Sequence, residues 1–366
     1  MNSEPPVLFE TYYNKGIITL NRPDKLNAIN YDIIQKISEH LIQWQCQKFL
    51  LVIIKGNGRA FSAGGDLVSL QRAQNGEYDF KQHAVVILYL AYTLVGQIPN
   101  YKPNFISFMD GIVMGGGAGL SIHGKYRIIT ERTIFAMPET TIGFFPDVGA
   151  SYFLSRLQGR LGLYLGLTGE RLQGEEIVIF GLGTHFVPSD LLPDLEKRLM
   201  ECHDDYDIEV TLDCFHRYTF DLEDDKEVQL KEINSCFDAE SVEEILLRLS
   251  ENGSKFCLKT RETLMGKSPT SLKITFEAWK RGRSMSLIDC LNMEYRMASR
   301  CLSVKHQLNL GHKIKPHSDF KEGVRALLIH KDKTPQWYPK TLEDVSQELV
   351  DSYFHEADNI CHDFIR

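Results

Sequence analysis

The sequence predicts an α/β protein. Strand-like apolar runs alternate with helix-period segments through the first two hundred or so residues, glycine-rich loops follow two of those runs, and from about residue 204 the patterning is mostly helical. Val7 to Tyr13 and Ile17 to Leu20 are rich in β-branched and aromatic residues, and Asn14, Lys15 and Gly16 between them predict the turn of a hairpin. After a loop over Asn21 to Asn27, Ile33, Ile34, Ile37, Leu41 and Trp44 recur at helical spacing. Phe49 to Ile54 is apolar throughout and too short for a helix, which predicts a strand buried on both faces. The alternation then repeats: a Gly-rich loop over 56–66, a helix near 79–96, a strand over Asn104 to Met109, a second Gly-rich loop, and a strand near Tyr126 to Thr130. Such an order implies a layered core with parallel strand pairing, here over residues 1–203. Residues 204–366 form the helical region: an acidic run over 221–228, a capping box of Ser241 and Glu244 ahead of Ile245, Leu246 and Leu249, and a helix face of Leu342, Val345, Leu349 and Tyr353.

Composition narrows the function. The chain has 366 residues, 41 Lys plus Arg against 49 Asp plus Glu, and a net charge of −8, which disfavours nucleic acid and anionic membranes as partners. With 43% hydrophobic and 25% charged residues it matches a soluble globular protein. None of the eight cysteines forms a C-x-x-C pair, so neither a disulfide scaffold nor a zinc ribbon is expected, and a reducing compartment is. Cys202, His203, Cys214 and His216 fit no common zinc spacing, and no metal is expected. The apolar stretch Ala84 to Val95 is shorter than the ~20 residues a membrane span needs and reads as a buried helix. The N-terminus shows neither a secretory signal nor an Arg-rich transit peptide, and Ser303 to His317 reads as a polar surface loop.

Chemistry concentrates in three places. The loops Phe61-Ser62-Ala63-Gly64-Gly65-Asp66 and Asp110-Gly111-Ile112-Val113-Met114-Gly115-Gly116-Gly117-Ala118-Gly119 each follow a strand's carboxyl end, where α/β sheets put their ligands. Glycine lets backbone N–H groups approach a ligand atom, and two such groups make an oxyanion hole; close helix-strand packing is the bland alternative. The segment from Phe135 to Gly149 carries Glu139 and Asp147, each directly after a proline, in otherwise uncharged and aromatic surroundings. Acids so placed have their charged form disfavoured, which suits a base or acid near neutral pH; helix capping is the structural alternative. Other motifs fail. Ser62 lacks the first glycine of a nucleophile elbow, Arg261 stands where a phosphate loop ending in Gly266-Lys267-Ser268 needs glycine, and neither glycine loop reads G-x-G-x-x-G.

Together with Ile18 to Asn30 (ITLNRPDKLNAIN), these motifs resemble the crotonase, or enoyl-CoA hydratase/isomerase, superfamily. In the tail, Ser268-Pro269-Thr270-Ser271-Leu272-Lys273 and Asp319 to Ala326 resemble its thioester-hydrolase branch. The resemblance implies a crotonase-type spiral of ββα units and, as substrate, an acyl group on coenzyme A, with no separate cofactor. The amides of Gly65 and Gly116 would hold the thioester oxygen, Glu139 would be the acid nearest the thioester, and Asp147 the branch's second acid. The hydratases carry a further glutamate where this chain has Gly119, so hydrolysis of a short 3-hydroxyacyl-CoA from valine breakdown is expected over hydration. Arg22, Lys25 and Arg59 are candidates for the basic patch that coenzyme A phosphates require. Two positions depart from the branch. Its helix glutamate before a tyrosine is replaced by Ala91 before Tyr92 in an ungapped count, or by Leu88 before Tyr89 with a small gap, and Gly149-Ala150-Ser151 replaces a frequent triple glycine. Both bear on the acyl pocket, so Ala91 counts among the substrate-binding candidates. The alternatives are a hydratase or isomerase of the same fold and a catalytically silent binding protein that uses the fold as an assembly module. The resemblance implies the mitochondrial matrix, with cytoplasm and peroxisome the alternatives where no presequence shows, and it admits a homo-oligomer.

Overall fold

The computed structural model describes residues 4–74, 84–218, 222–302 and 318–355. Ser303 to His317, residues 79–83 of the expected helix and residue 221 of the acidic run lie outside the described residues. By compactness the chain divides into two interleaved units: a sheet unit of Met1–Asp66, Thr93–Ala136 and Arg171–Leu222, and a helical unit of Leu67–Tyr92, Met137–Glu170 and Glu223–Arg366.

In the sheet unit, six strands pair in the order β1 (Val7–Tyr12), β2 (Lys15–Leu20), β3 (Leu51–Gly56), β5 (Asn104–Met109), β7 (Tyr126–Ile129) and β10 (His185–Phe186). Only β1 runs antiparallel to its neighbour. A second sheet has the order β4 (Ala60–Ser62), β6 (Ile112–Met114), β8 (Ile134–Ala136) and β9 (Leu172–Gln173). Successive strands therefore alternate between sheets: β3 is followed by β4, β5 by β6 and β7 by β8, which is the expected ββα progression. Ile17, Leu51, Ile53, Ile106, Phe108 and Ile128 from the larger sheet pack with Leu195, Leu199, Ile208 and Leu212 from the helices Leu192–Glu201 and Asp205–Phe215 in one buried cluster. Cys202 lies in that same core, and the His216 ring nitrogen accepts from the Phe186 N–H at 2.9 Å.

The hairpin differs from expectation in its turn. Tyr12 pairs with Lys15, so Tyr13 and Asn14 make the reversal, and Lys15 and Gly16 belong to β2. Gly16 is needed for packing: a Cβ there would stand 2.6 Å from the Trp44 ring.

The helical unit contains the first part of Ala84–Gln97 and helices from Asp224–Cys236 through Gln347–Ser352. The apolar stretch beginning at Ala84 is a helix as expected, and among the described residues no helix is long and apolar enough to cross a membrane. Ser241 caps Val242–Asn252 by accepting from the Glu244 N–H, but Glu244 closes back on the Glu240 N–H, so only half of the capping box forms. Leu342, Val345, Leu349 and Tyr353 are all buried, yet only Leu349 is inside a helix, Gln347–Ser352.

Candidate active site

The two glycine loops meet in the sheet unit. Parallel pairing of β4 with β6 puts Gly64 and Gly65 beside Gly115 and Gly116 at the strands' carboxyl ends. Gly64 has φ of +104°, conformational space that a residue with a Cβ rarely enters. Its carbonyl accepts from Ile29, its N–H donates to Ser62 Oγ at 3.1 Å, and Asp66 N–H donates to the Ile29 carbonyl, so Gly65 is held while its own N–H faces away from Ile29. Gly116 opens the short helix Gly116–Ile122, where an N–H has no intrahelical acceptor. Neither the Gly65 nor the Gly116 amide finds a backbone acceptor among the described residues. They are neighbours: a Cβ on Gly116 would lie 3.3 Å from the Gly65 nitrogen. Gly117 serves the packing role instead, with the Ser62 carbonyl oxygen 2.5 Å from where its Cβ would be. Gly119 is buried within that helix and supplies no carboxyl group.

The three candidate bases sit on two turns of the same unit. The Arg22–Asn27 turn is fastened to the 57–60 loop by Asn27, whose Nδ2 donates to the carbonyls of Asn57 and Ala60 at 3.0 and 2.7 Å. Lys25 and Arg59 are exposed, whereas Arg22 is half-buried, donating to the Ala28 carbonyl at 2.5 Å and paired with Asp66 at 3.0 Å. Arg22 therefore braces the residue that follows Gly65, and the two exposed bases are the ones open to an anion.

Both acids lie in the helical unit, and both are buried: Glu139 is 7% and Asp147 8% exposed. Glu139 follows Pro138 at the start of a 3-10 turn, Glu139–Ile142, which ends at Gly143 with φ of +69°. Its Oε2 has no hydrogen-bond partner among the described residues. Burial, and then the neighbouring Asp147, push the Glu139 carboxyl well above the ordinary range. Asp147 accepts from the Tyr92 hydroxyl at 2.7 Å, and burial raises it to about 6 although that bond favours its charged form. Neither side chain caps a helix: the Ala150–Phe153 turn has Gly149 at its N-cap, and only the Asp147 carbonyl is used, by the Ala150 N–H.

Three residues of this cluster were not assigned roles from sequence. Tyr92 lies on the buried face of Ala84–Gln97 together with Leu88, one turn earlier, while Ala91 is half-buried; no acid occupies either register. Lys267, in the failed phosphate-loop motif, donates to Thr141 Oγ1 at 2.5 Å beside the Glu139 turn, and burial lowers it to about 8. Ser268 caps the helix Pro269–Gly282 and donates to Asp319 at 2.6 Å, a structural use of the same motif. Glu294 is fully buried on Leu287–Leu302, and burial pushes it up to about 8 against the pull of its donors. Its signal was present in the sequence: position 294 falls on the apolar stripe Cys290, Leu291, Met297, Ala298 and Cys301, where a charge is out of place.

Taken separately, an acid with a free buried oxygen can attack a carbonyl or take a proton from water, and a pair of amides without backbone acceptors can hold an oxyanion. The family model for enoyl-CoA hydratase/isomerase matches residues 15–354. The chain belongs to the enoyl-CoA hydratase/isomerase family. Within this family it is 44% identical over 351 residues to the mitochondrial 3-hydroxyisobutyryl-CoA hydrolase of Xenopus tropicalis, covering 94% of this chain and 87% of that one. It is 41% identical over 356 residues to the protein of the same name from Homo sapiens, covering 95% and 88%. Among solved structures, a carnitinyl-CoA dehydratase from Mycobacterium thermoresistibile superposes with a TM-score of 0.85 at 31% identity, covering 97% of each chain. An enoyl-CoA hydratase from Rhodobacter sphaeroides gives 0.82 at 31% identity over 96% of this chain and 97% of that one. The expected family fold is thus the observed one.

Proposed function

We propose that the chain hydrolyses 3-hydroxyisobutyryl-CoA to the free acid and coenzyme A. The observation that carries this reading is its 41–44% identity, over 93% or more of its length, to proteins bearing that enzyme's name. The site chemistry agrees with it. The Gly65 and Gly116 amides would hold the thioester oxygen as it gains charge; one donor of this kind typically lowers a barrier by ~2.7–4 kcal/mol. Glu139, ionised, either attacks the carbonyl carbon and expels the coenzyme A thiolate, leaving an anhydride that water cleaves, or removes a proton from the water that attacks. Hydroxylamine would capture the anhydride as a hydroxamate on Glu139 and so separates the two routes. Asp147, steadied by Tyr92, would hold the substrate's 3-hydroxyl or pass a proton. Lys25 and Arg59 would meet the coenzyme A phosphates, and Ala91 would border the acyl group.

Hydration is the less supported reading, because Gly119 gives that reaction no second carboxylate on the helix after the glycine loop. The relatives' names also support a mitochondrial location, which fractionation of the producing cells would test. The test of function is a panel of acyl-CoA esters assayed for free thiol, with wild type and Glu139→Gln. Turnover of 3-hydroxyisobutyryl-CoA above other esters, lost in the variant by ~10²-fold or more, is the expected result. Equal rates in both proteins remove Glu139 from the mechanism, and faster hydration of crotonyl-CoA than thiol release overturns the assignment.

A further inference from the structure

The helix Leu287–Leu302 reaches Asp147 by two routes. Its Glu294 carboxylate accepts from the Gly149 N–H at 2.6 Å, the Ser151 N–H at 2.9 Å and the Ser151 hydroxyl at 2.6 Å. These donors flank a turn that the chain adopts at a cost: Val148 has φ of +53° and Gly149 +86°, and for a β-branched residue such a φ is a true outlier. A left-handed residue followed by a helical one, as Gly149 is by Ala150, turns nearby amides toward one side, where an acceptor settles them. The next residue of the helix, Tyr295, sets its ring edge-on to Tyr92, with centroids 6.3 Å apart and planes at 79°, and Tyr92 donates to Asp147. One dipeptide therefore supports both the backbone that carries Asp147 and the hydroxyl that orients its carboxylate.

We propose that Glu294 is a positioning residue for Asp147: clamped on the Gly149 and Ser151 amides, it holds the strained Asp147–Gly149 turn in the one arrangement that brings the Asp147 carboxyl to Tyr92. The proposal rests on the hydrolase reading above. A carboxylate rather than an apolar side chain is needed here because two amides and a hydroxyl must be satisfied together, and an amide side chain offers one acceptor atom where Glu offers two.

The test is thiol release from 3-hydroxyisobutyryl-CoA by Glu294→Gln, Ser151→Ala and Asp147→Asn, and by the first two in the Asp147→Asn background. Glu294→Gln is expected to lower kcat by ~10²-fold, the scale of loss from a misplaced catalytic group, with KM within about threefold of wild type. Ser151→Ala, which removes one donor and leaves the amides, is expected to cost about fivefold. In the Asp147→Asn background neither change should lower kcat further, since the group they position is gone. A folded Glu294→Gln protein with wild-type kcat, or losses that multiply with that of Asp147→Asn, overturns the proposal. If Glu294→Gln shows no cooperative melt, Ser151→Ala and its double variant decide by the same criteria. Absence of thiol release from 3-hydroxyisobutyryl-CoA by the wild-type protein, or faster hydration of crotonyl-CoA, would instead mark failure of the hydrolase reading, so the two failures are distinguishable.

Discussion

The sheet unit and the helical unit contribute chemistry of different kinds. The former offers main-chain amides, whose presence depends on backbone shape: Gly64 at φ of +104°, Gly116 at a helix start, and Gly117 pressed on Ser62. The latter offers carboxyl groups, whose usefulness depends on what surrounds them: Glu139 with an unpartnered oxygen, Asp147 held by Tyr92, and Glu294 bonded to three donors. Amide donors have no charge to titrate and tolerate any side chain that leaves space in front of them. The acids respond to pH and to each neighbour. One unit thus carries fixed donors and the other adjustable acids.

That contrast can be broken at the glycines. Gly116→Ala places a methyl 3.3 Å from the Gly65 nitrogen and should cut kcat/KM by ~10²–10³-fold while thermal stability stays close to wild type. Gly65→Ala meets nothing within 4 Å among the described residues and should leave stability unchanged, whereas Gly117→Ala, facing a carbonyl oxygen at 2.5 Å, should destabilise the fold before chemistry is reached. Full activity in Gly116→Ala would show that the paired amides are a packing device.

On the acid side, Tyr92→Phe removes the donor at 2.7 Å and should lower kcat about tenfold. A stability measurement sharpens the same point. Burial raises Asp147 from 3.8 to about 6, so the native chain keeps a proton that the unfolded chain has released, and this group's contribution falls as pH rises between those values. Asp147→Asn should therefore gain stability relative to wild type from pH 4 to 6 in urea titrations. A relative loss over that range would mean that Asp147 is stabilised as an anion. The smallest effect belongs to the exposed bases: Lys25→Ala and Arg59→Ala should each raise KM about two- to fivefold with kcat unchanged.

The two units were also unequally legible. Five strands of the larger sheet, the glycine loops and both named acids follow from apolar runs, turn residues and isolated charges in apolar context, all of which are local patterns, whereas the short strands β4 and β6 lie within segments that read as loops. The hairpin turn was misplaced by two residues because Gly16 answers to Trp44, a partner 28 positions away that no local pattern reveals. Glu294 and Tyr92 reach the Asp147 segment from distant stretches of sequence, so only the fold could unite them, although a charge on the apolar stripe of Leu287–Leu302 was itself a visible clue. Lys267 was dismissed with a motif that fails, yet its amine lies beside the Glu139 turn.

The account turns on a buried Glu139 that must lose its proton to work. The most direct measurement is kcat/KM for thiol release against pH, in wild type and in Asp147→Asn. Because burial and the Asp147 charge both raise Glu139, activity should climb through a midpoint above the ordinary glutamate value of about 4.3, and removing Asp147 should lower that midpoint. A midpoint near 4.3 in wild type that does not move in the variant would contradict it.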